Sequence, residues 1–134
     1  SKKHLNKKWI QFKKLVNEIK IFYKNRYSVL VAPGPGETEE AKLLNCKVVL
    51  DNNEPINLNQ LISFIKKSKF IISNDTGPAH ICCHLDKKGI VLFGSHTSAK
   101  KVSIESENFK ALSVKNLNDL NVNTVFDEIK KTLD

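Results

Sequence analysis

Short apolar runs alternate with amphipathic segments along this chain, and that alternation constrains the fold more than any other feature. Five runs rich in Val, Ile, Leu and Phe indicate strands, and five segments with helical spacing of apolar residues indicate helices. The predicted strands are residues 28–32, 47–50, 70–72, 89–93 and 110–114, and the predicted helices are residues 9–23, 37–44, 58–67, 79–85 and 122–133. Continuous apolar strands separated by helices are typical of buried parallel sheets. The pattern predicts an α/β fold, a Rossmann-like parallel sheet of about five strands with helices on both faces.

The length of 134 residues suits one domain, so we expect residues 1–134 to form a single Rossmann-like unit. The 22 basic and 14 acidic residues give a net charge of +8, which attracts phosphates and anionic surfaces. An AT-rich genome explains the lysine excess equally well. Arg26 is the one arginine, and no aromatic residues alternate with the lysines as a stacking platform would require. We therefore expect no nucleic-acid partner.

The cysteines and the hydropathy pattern indicate in which cellular compartment the chain is located. Cys46, Cys82 and Cys83 cannot form a complete disulfide framework, which favours a reducing compartment. No apolar run reaches the roughly 20 residues of a membrane helix, and no signal peptide is recognisable. These features predict a cytoplasmic chain.

Three loops follow predicted strands and precede helices or further loops, namely residues 33–40, 73–80 and 94–101. Ligands of open α/β sheets bind beyond the carboxyl ends of the strands. Residues 73–80 (SNDTGPAH) follow an apolar strand and begin a helix, whose first free N–H groups suit a phosphate. The same segment also fits a plain helix start with Asp75 or Thr76 as the N-cap, and spacing alone favours that simpler interpretation.

The run FIISNDTGPAHICCHL followed by GIVLFG resembles the C-terminal domain of the bacterial ADP-heptose lipopolysaccharide heptosyltransferase family. That family has a strand, an Asp-x-Gly-x-x-His turn, a small-residue helix and a Leu-Phe-Gly strand end. Lys7-Lys8-Trp9 is similar to the family's Lys-x-Trp, and the loop into Glu37 and Ala41 is similar to its Gly-x-x-x-Glu segment. The chain departs from the family pattern after Gly94, where Ser-His-Thr replaces Pro-Thr. The resemblance covers residues 7–94.

The resemblance implies a role for each matching residue in binding the donor. Lys7 would meet the donor's phosphates, although the neighbouring Lys8 could compete for that role. Thr76 and Gly77 would offer backbone N–H groups to the diphosphate.

Three further residues complete the implied donor site. Glu37 would accept hydrogen bonds from ribose hydroxyls, and Asp75 would contact the donor sugar. His80, one turn into the helix, would point at the same cleft. For each residue a structural role is the alternative, such as a first-turn acid for Glu37 or an ordinary helical histidine for His80.

The resemblance implies the donor-binding half of a GT-B type inverting glycosyltransferase that acts in lipopolysaccharide core biosynthesis. Its donor would be an ADP-heptose-like nucleotide sugar. The catalytic base, which this sequence does not identify, and the site for a lipopolysaccharide-core-like acceptor would lie on an N-terminal domain absent from the chain. The resemblance implies no cofactor, and it allows peripheral association with the inner membrane.

Two other functions stay open from the sequence. The chain could be a non-enzymatic basic module for nucleic acid or an anionic surface, or a degenerate family member that keeps the fold without transferase activity. A metal site built from His80, Cys82, Cys83, His84 and His96 is disfavoured, because adjacent helical cysteines point to different sides. We therefore expect no metal.

Overall fold

The computed structural model describes residues 9–74, 77–94 and 105–133. The chain divides into two compact units, one of residues 11–63 and the other of residues 1–10 and 64–134. The elements in chain order are α1 (Phe12–Tyr23), β1 (Leu30–Val31), α2 (Thr38–Lys42), β2 (Lys47–Val48), β3 (Leu50–Asp51), β4 (Glu54–Pro55), α3 (Leu58–Lys67), β5 (Ile71–Asn74), α4 (Gly77–His84), β6 (Gly89–Gly94), β7 (Phe109–Val114), a 3₁₀ turn (Leu117–Asp119) and α5 (Val122–Leu133).

In the unit of residues 11–63, helix α1 is amphipathic. Its buried residues are Leu15, Val16 and Tyr23, whose spacing puts them on one face, while lysines occupy the exposed face. The helix ends where Lys24 adopts a left-handed φ of 53° and donates its N–H to the carbonyl of Lys20 at 2.9 Å. The end of α1 is therefore set by backbone conformation.

Strands β1 and β2 of the same unit form a parallel pair of two residues each, with Leu30 opposite Lys47 and Val31 opposite Val48. One further bond, from the N–H of Val49 to the carbonyl of Val31 at 2.8 Å, extends the pairing. Pro33 follows the strand closely, and a proline has no N–H with which to continue a ladder. This explains why β1 is shorter than the predicted strand at residues 28–32.

Strands β3 and β4 form an antiparallel hairpin that the sequence analysis missed. Asp51 pairs with Glu54, and the two residues between them, Asn52 and Asn53, have φ values of 50° and 66°. Two-residue hairpin turns of type I′ require positive φ at both central positions, and asparagine tolerates that conformation well. The Asn-Asn pair was the signal in the sequence.

The second unit contains a three-stranded parallel sheet in the order β5-β6-β7. All six residues of the central strand β6 are buried, whereas the four residues of β5 are half-buried. Ile71 lies opposite Gly89, which lies opposite Phe109 on the other side. The apolar run at residues 70–72 predicts a buried strand, whereas Ile71 and Ile72 are half-buried. The place of β5 at the end of this strand order explains its partial exposure.

Helix α5 and the fully buried Phe109 and Leu117 contribute to the core of the second unit, together with Trp9 from the start of the chain. The α5 residues Val122, Val125, Phe126 and Ile129 follow helical spacing and are all buried. Trp9 is 3% exposed and donates its indole N–H to the carbonyl of Leu120 at 2.8 Å. This bond joins parts of the sequence that are 111 residues apart.

The fold class predicted from the sequence is confirmed at the level of a mixed α/β protein with parallel strands. The predicted single sheet of about five strands is wrong for the described residues. A parallel strand lies at each of the five predicted places, but β1 and β2 pair with each other while β5, β6 and β7 form a separate sheet. Among the described residues, no helix combines the length and hydropathy needed to cross a membrane.

Candidate functional site

The carboxyl ends of β5 and β6 form the candidate segment of the second unit. The two strands are parallel and in register, with Asn74 opposite Leu92, so they end at the same edge of the sheet. Strand β5 ends at Asn74 and α4 begins at Gly77. Asp75 and Thr76 come between these elements in the sequence. They fall outside the described residues, and so do Lys7 and residues 95–104. The structure therefore shows the predicted strand and helix on either side of residues 75–76, with β5 ending at the carboxyl edge of the sheet.

Helix α4 has one buried side and one exposed side. Ala79 and Cys82, three residues apart, are 0% and 1% exposed. His80 is exposed, and so is His84 one turn later. Since residues i and i+4 share a helix face, the exposed face of α4 carries both histidines. His80 is thus available to donate or accept a hydrogen bond with a ligand.

The cysteines of α4 are in different environments. Burial raises the pKa of the Cys82 thiol from 9.0 to about 11, and the favourable field of Lys87 offsets only part of this effect. Cys82 therefore stays protonated at neutral pH and packs as a small apolar residue. Cys83 is half-buried. The described residues contain no group of three or more His, Cys, Asp or Glu side chains arranged to hold a metal ion.

A second candidate segment is the loop before α2, in the unit of residues 11–63. The N–H of Gly34 donates to Oε1 of Glu37 at 2.9 Å, and the N–H of Glu37 donates to the carbonyl of Gly34 at 3.1 Å. The carbonyl of Glu37 accepts from Ala41 at 3.0 Å in the first turn of α2. Glu37 is half-buried, and both its backbone and its carboxylate are fixed by the loop.

Of the predicted donor-binding residues, Gly77 and His80 lie on one helix in the second unit, and Glu37 lies in the first unit. Lys7, Asp75 and Thr76 fall outside the described residues. The sequence analysis did not single out the contact between Gly34 and Glu37. Its signal was the three-residue spacing, since a glutamate three residues after a loop position can bond back to that residue's N–H, as in a capping box.

Comparisons with known proteins bear on the identity of this arrangement. Residues 1–128 match the sequence profile of glycosyltransferase family 9 (heptosyltransferase). The chain belongs to this family. The resemblance identified from the Asp-x-Gly-x-x-His segment and its flanking strands is thereby confirmed. No curated protein matches the chain at a significant level.

Two solved structures of the E. coli heptosyltransferase WaaC share the fold. The structure of WaaC with ADP matches 95% of this chain and 40% of its own, with a TM-score of 0.80 and 21% sequence identity. The structure of WaaC with ADP-2-deoxy-2-fluoro heptose matches 94% of this chain and 39% of its own, with a TM-score of 0.78 and 21% identity. The chain of 134 residues thus spans about 40% of the length of these proteins.

Proposed function

We propose that residues 1–134 serve as one donor-binding domain of an inverting glycosyltransferase that uses an ADP-heptose-like nucleotide sugar in lipopolysaccharide core biosynthesis. The observation that carries the proposal is the family match over residues 1–128. It is supported by the likeness in fold to WaaC, which was solved with ADP and with an ADP-heptose analogue. In this proposal the chain forms one Rossmann-like half of a GT-B enzyme.

The diphosphate is assigned to the turn between β5 and α4. Thr76 and Gly77 offer backbone N–H groups there, and the positive end of the α4 dipole favours an anion. Lys7 supplies a compact positive charge for the same phosphates. As charge develops on the leaving diphosphate, these donors would stabilise it without reorganising.

The sugar and ribose are assigned to the other predicted residues. Asp75 contacts the donor sugar and His80 offers a ring nitrogen from the exposed face of α4. Glu37 accepts a ribose hydroxyl through a carboxylate that the loop already holds. A carboxylate that is fixed before binding loses little conformational entropy when the ligand arrives.

The donor half alone would bind without transferring sugar. The catalytic base and the lipopolysaccharide-core-like acceptor are assigned to an N-terminal domain outside this chain, consistent with the 40% of WaaC that the chain covers. The proposal places the chain in the cytoplasm, in keeping with the free thiols of Cys46, Cys82 and Cys83. Family membership does not favour a stand-alone basic module for nucleic acid.

Peripheral association with the inner membrane is also proposed. Helix α1 carries exposed Lys13, Lys14 and Lys20 beside Ile21 and Phe22, which are 72% and 52% exposed. Cations and apolar side chains exposed on one helix are typical of anionic membrane surfaces. Sedimentation with vesicles tests this proposal. We expect the chain to bind anionic vesicles and not neutral ones, and binding to neither kind would contradict the proposal.

Calorimetric titration of ADP, an ADP-heptose and a UDP-sugar into the chain tests the donor assignment. We expect binding of the ADP ligands and weaker binding of the UDP-sugar. Lys7→Ala, Asp75→Ala and His80→Ala should each weaken ADP-heptose binding, by roughly tenfold for a lost hydrogen bond to a charged group. His84→Ala is the matched control, because His84 is also exposed on the same helix one turn further on. If none of these nucleotides binds, the donor-binding role is refuted.

A further inference from the structure

Gly34 and Glu37 hold each other through two reciprocal bonds. The N–H of Gly34 reaches Oε1 at 2.9 Å, while the N–H of Glu37 reaches the carbonyl of Gly34 at 3.1 Å. The second bond closes the turn of residues 34–37, and the first uses that turn to orient the side chain. One carboxylate oxygen is therefore committed to the backbone, and Oε2 is the oxygen presented to a further donor.

A side chain at residue 34 would meet the Glu37 carboxylate that holds this bond. A β-carbon on Gly34 would lie 2.7 Å from Oε1 of Glu37 and 3.8 Å from its Cδ. The first distance is closer than β-carbons approach other atoms in proteins, so the carboxylate oxygen would have to shift. The φ of Gly34 lies outside the left-handed region, so φ does not by itself call for glycine there.

Gly36 in the same loop presents the opposite case. Its φ is +78°, which disfavours any residue with a β-carbon, yet nothing lies within 4 Å of where that carbon would be. The loop thus contains one glycine at which a β-carbon would displace a side chain and one that the backbone conformation favours. Substitution at the first displaces the Glu37 carboxylate, and substitution at the second strains the chain without touching the carboxylate.

We propose that Gly34 is a positioning residue for donor recognition, and that the missing side chain at this position lets Glu37 present a fixed oxygen to the ribose hydroxyls. This inference rests on the proposed role of Glu37 in the donor site. It extends that role by making the discrimination between nucleotides with and without ribose hydroxyls depend on residue 34, which would not itself contact the ligand.

The experiment compares the affinity for ADP with that for 2′,3′-dideoxy-ADP in four chains, measured by calorimetry alongside thermal unfolding. The wild type should prefer ADP by roughly tenfold, the effect expected for one hydrogen bond to a charged group. Glu37→Gln should reduce the preference strongly. Gly34→Ala should do the same with little change in thermal stability, because a flexible carboxylate can move aside. Gly36→Ala should lower thermal stability and keep the preference. If Gly34 had only a structural role, Gly34→Ala would lower thermal stability and would not selectively remove the preference for ADP.

Each other outcome has a defined meaning. If the wild-type chain does not bind ADP, the proposed function is overturned, and this inference with it. If the Glu37→Gln variant still prefers ADP to 2′,3′-dideoxy-ADP, Glu37 does not recognise the ribose hydroxyls. If Glu37→Gln removes the preference and Gly34→Ala keeps it, the positioning role alone is wrong. Glu37→Asp is a second variant that adds no bulk at residue 34: its shorter side chain cannot bond the Gly34 N–H and the ligand together, so an intact preference there would also overturn the inference.

Discussion

Gly89 is the first residue of the central strand of the three-stranded sheet, opposite Ile71 of β5 and Phe109 of β7. A β-carbon at this position would lie 2.2 Å from the carbonyl oxygen of Ile71 and 3.0 Å from both the carbonyl carbon of Ile71 and Cδ1 of Phe109. Ordinary carbon contacts begin near about 3.5 Å, so Gly89→Ala would force β5 away by about 1 Å. The neighbour is backbone, and backbone in a paired strand cannot move aside as a flexible side chain can.

The expected cost can be built from the contacts involved. Overpacking of a tight core typically costs about 1–3 kcal/mol. Moving β5 also weakens the bond from the N–H of Ile71 to the carbonyl of Lys88, now 3.0 Å long, and a buried group left unpaired costs about 1–3 kcal/mol. We therefore expect Gly89→Ala to lower the free energy of unfolding by roughly 2–6 kcal/mol, a large share of the ~5–15 kcal/mol typical of domains. For a chain of this size, the midpoint of thermal unfolding should fall by roughly 8–24 °C.

Urea and thermal unfolding followed by circular dichroism would measure this loss. Gly36→Ala is the matched control, because the same added methyl group meets open space and only the backbone φ of +78° opposes it. Its expected cost is about 1–2 kcal/mol. The reasoning would be refuted if Gly89→Ala unfolded with a free energy equal to or higher than that of Gly36→Ala.

Three further predictions concern local features. Because the pKa of Cys82 is raised from 9.0 to about 11 by burial, the folded chain holds this proton more tightly than the unfolded chain, so stability should fall as pH rises from 9 to 11; urea unfolding across that range should show the decline, and Cys82→Ala should reduce it. Trp9→Phe removes the indole bond to the Leu120 carbonyl and should cost about 1–3 kcal/mol in urea unfolding followed by circular dichroism. Asn53→Gly should stabilise the hairpin by up to about 1 kcal/mol in thermal unfolding, since glycine adopts the φ of 66° at no steric cost.

Controls separate these effects from general ones. Alkylation at pH 8 should modify the half-buried Cys83 faster than Cys82, and equal rates would contradict the pKa argument. An unchanged free energy of unfolding in Trp9→Phe would show that the indole bond contributes nothing net. Asn53→Ala should destabilise the chain, because alanine lacks asparagine's tolerance of left-handed φ; stabilisation by alanine would contradict the turn assignment.

Part of the candidate site could be predicted because its signals are local. Strand β5 and helix α4 were predicted from one contiguous segment, and α4 exposes His80 while burying Cys82. Which side of the helix faces the core depends on packing, but a helix with Ala79 and Cys82 three residues apart has only one small, apolar side. The contact between Gly34 and Glu37 was not predicted, because it depends on a side-chain rotamer and on the empty volume beside a glycine.

The sequence by itself determined the helices with strong periodicity and the places of the parallel strands. Helices α3 and α5 begin and end at the predicted residues, 58–67 and 122–133, because helical bonds and apolar spacing are set within a few residues. The tertiary structure alone decided which strands pair. Each strand can satisfy its N–H and C=O groups with several partners, so the division into β1-β2 and β5-β6-β7 depends on contacts between distant residues, such as the approach of Gly89 to Ile71.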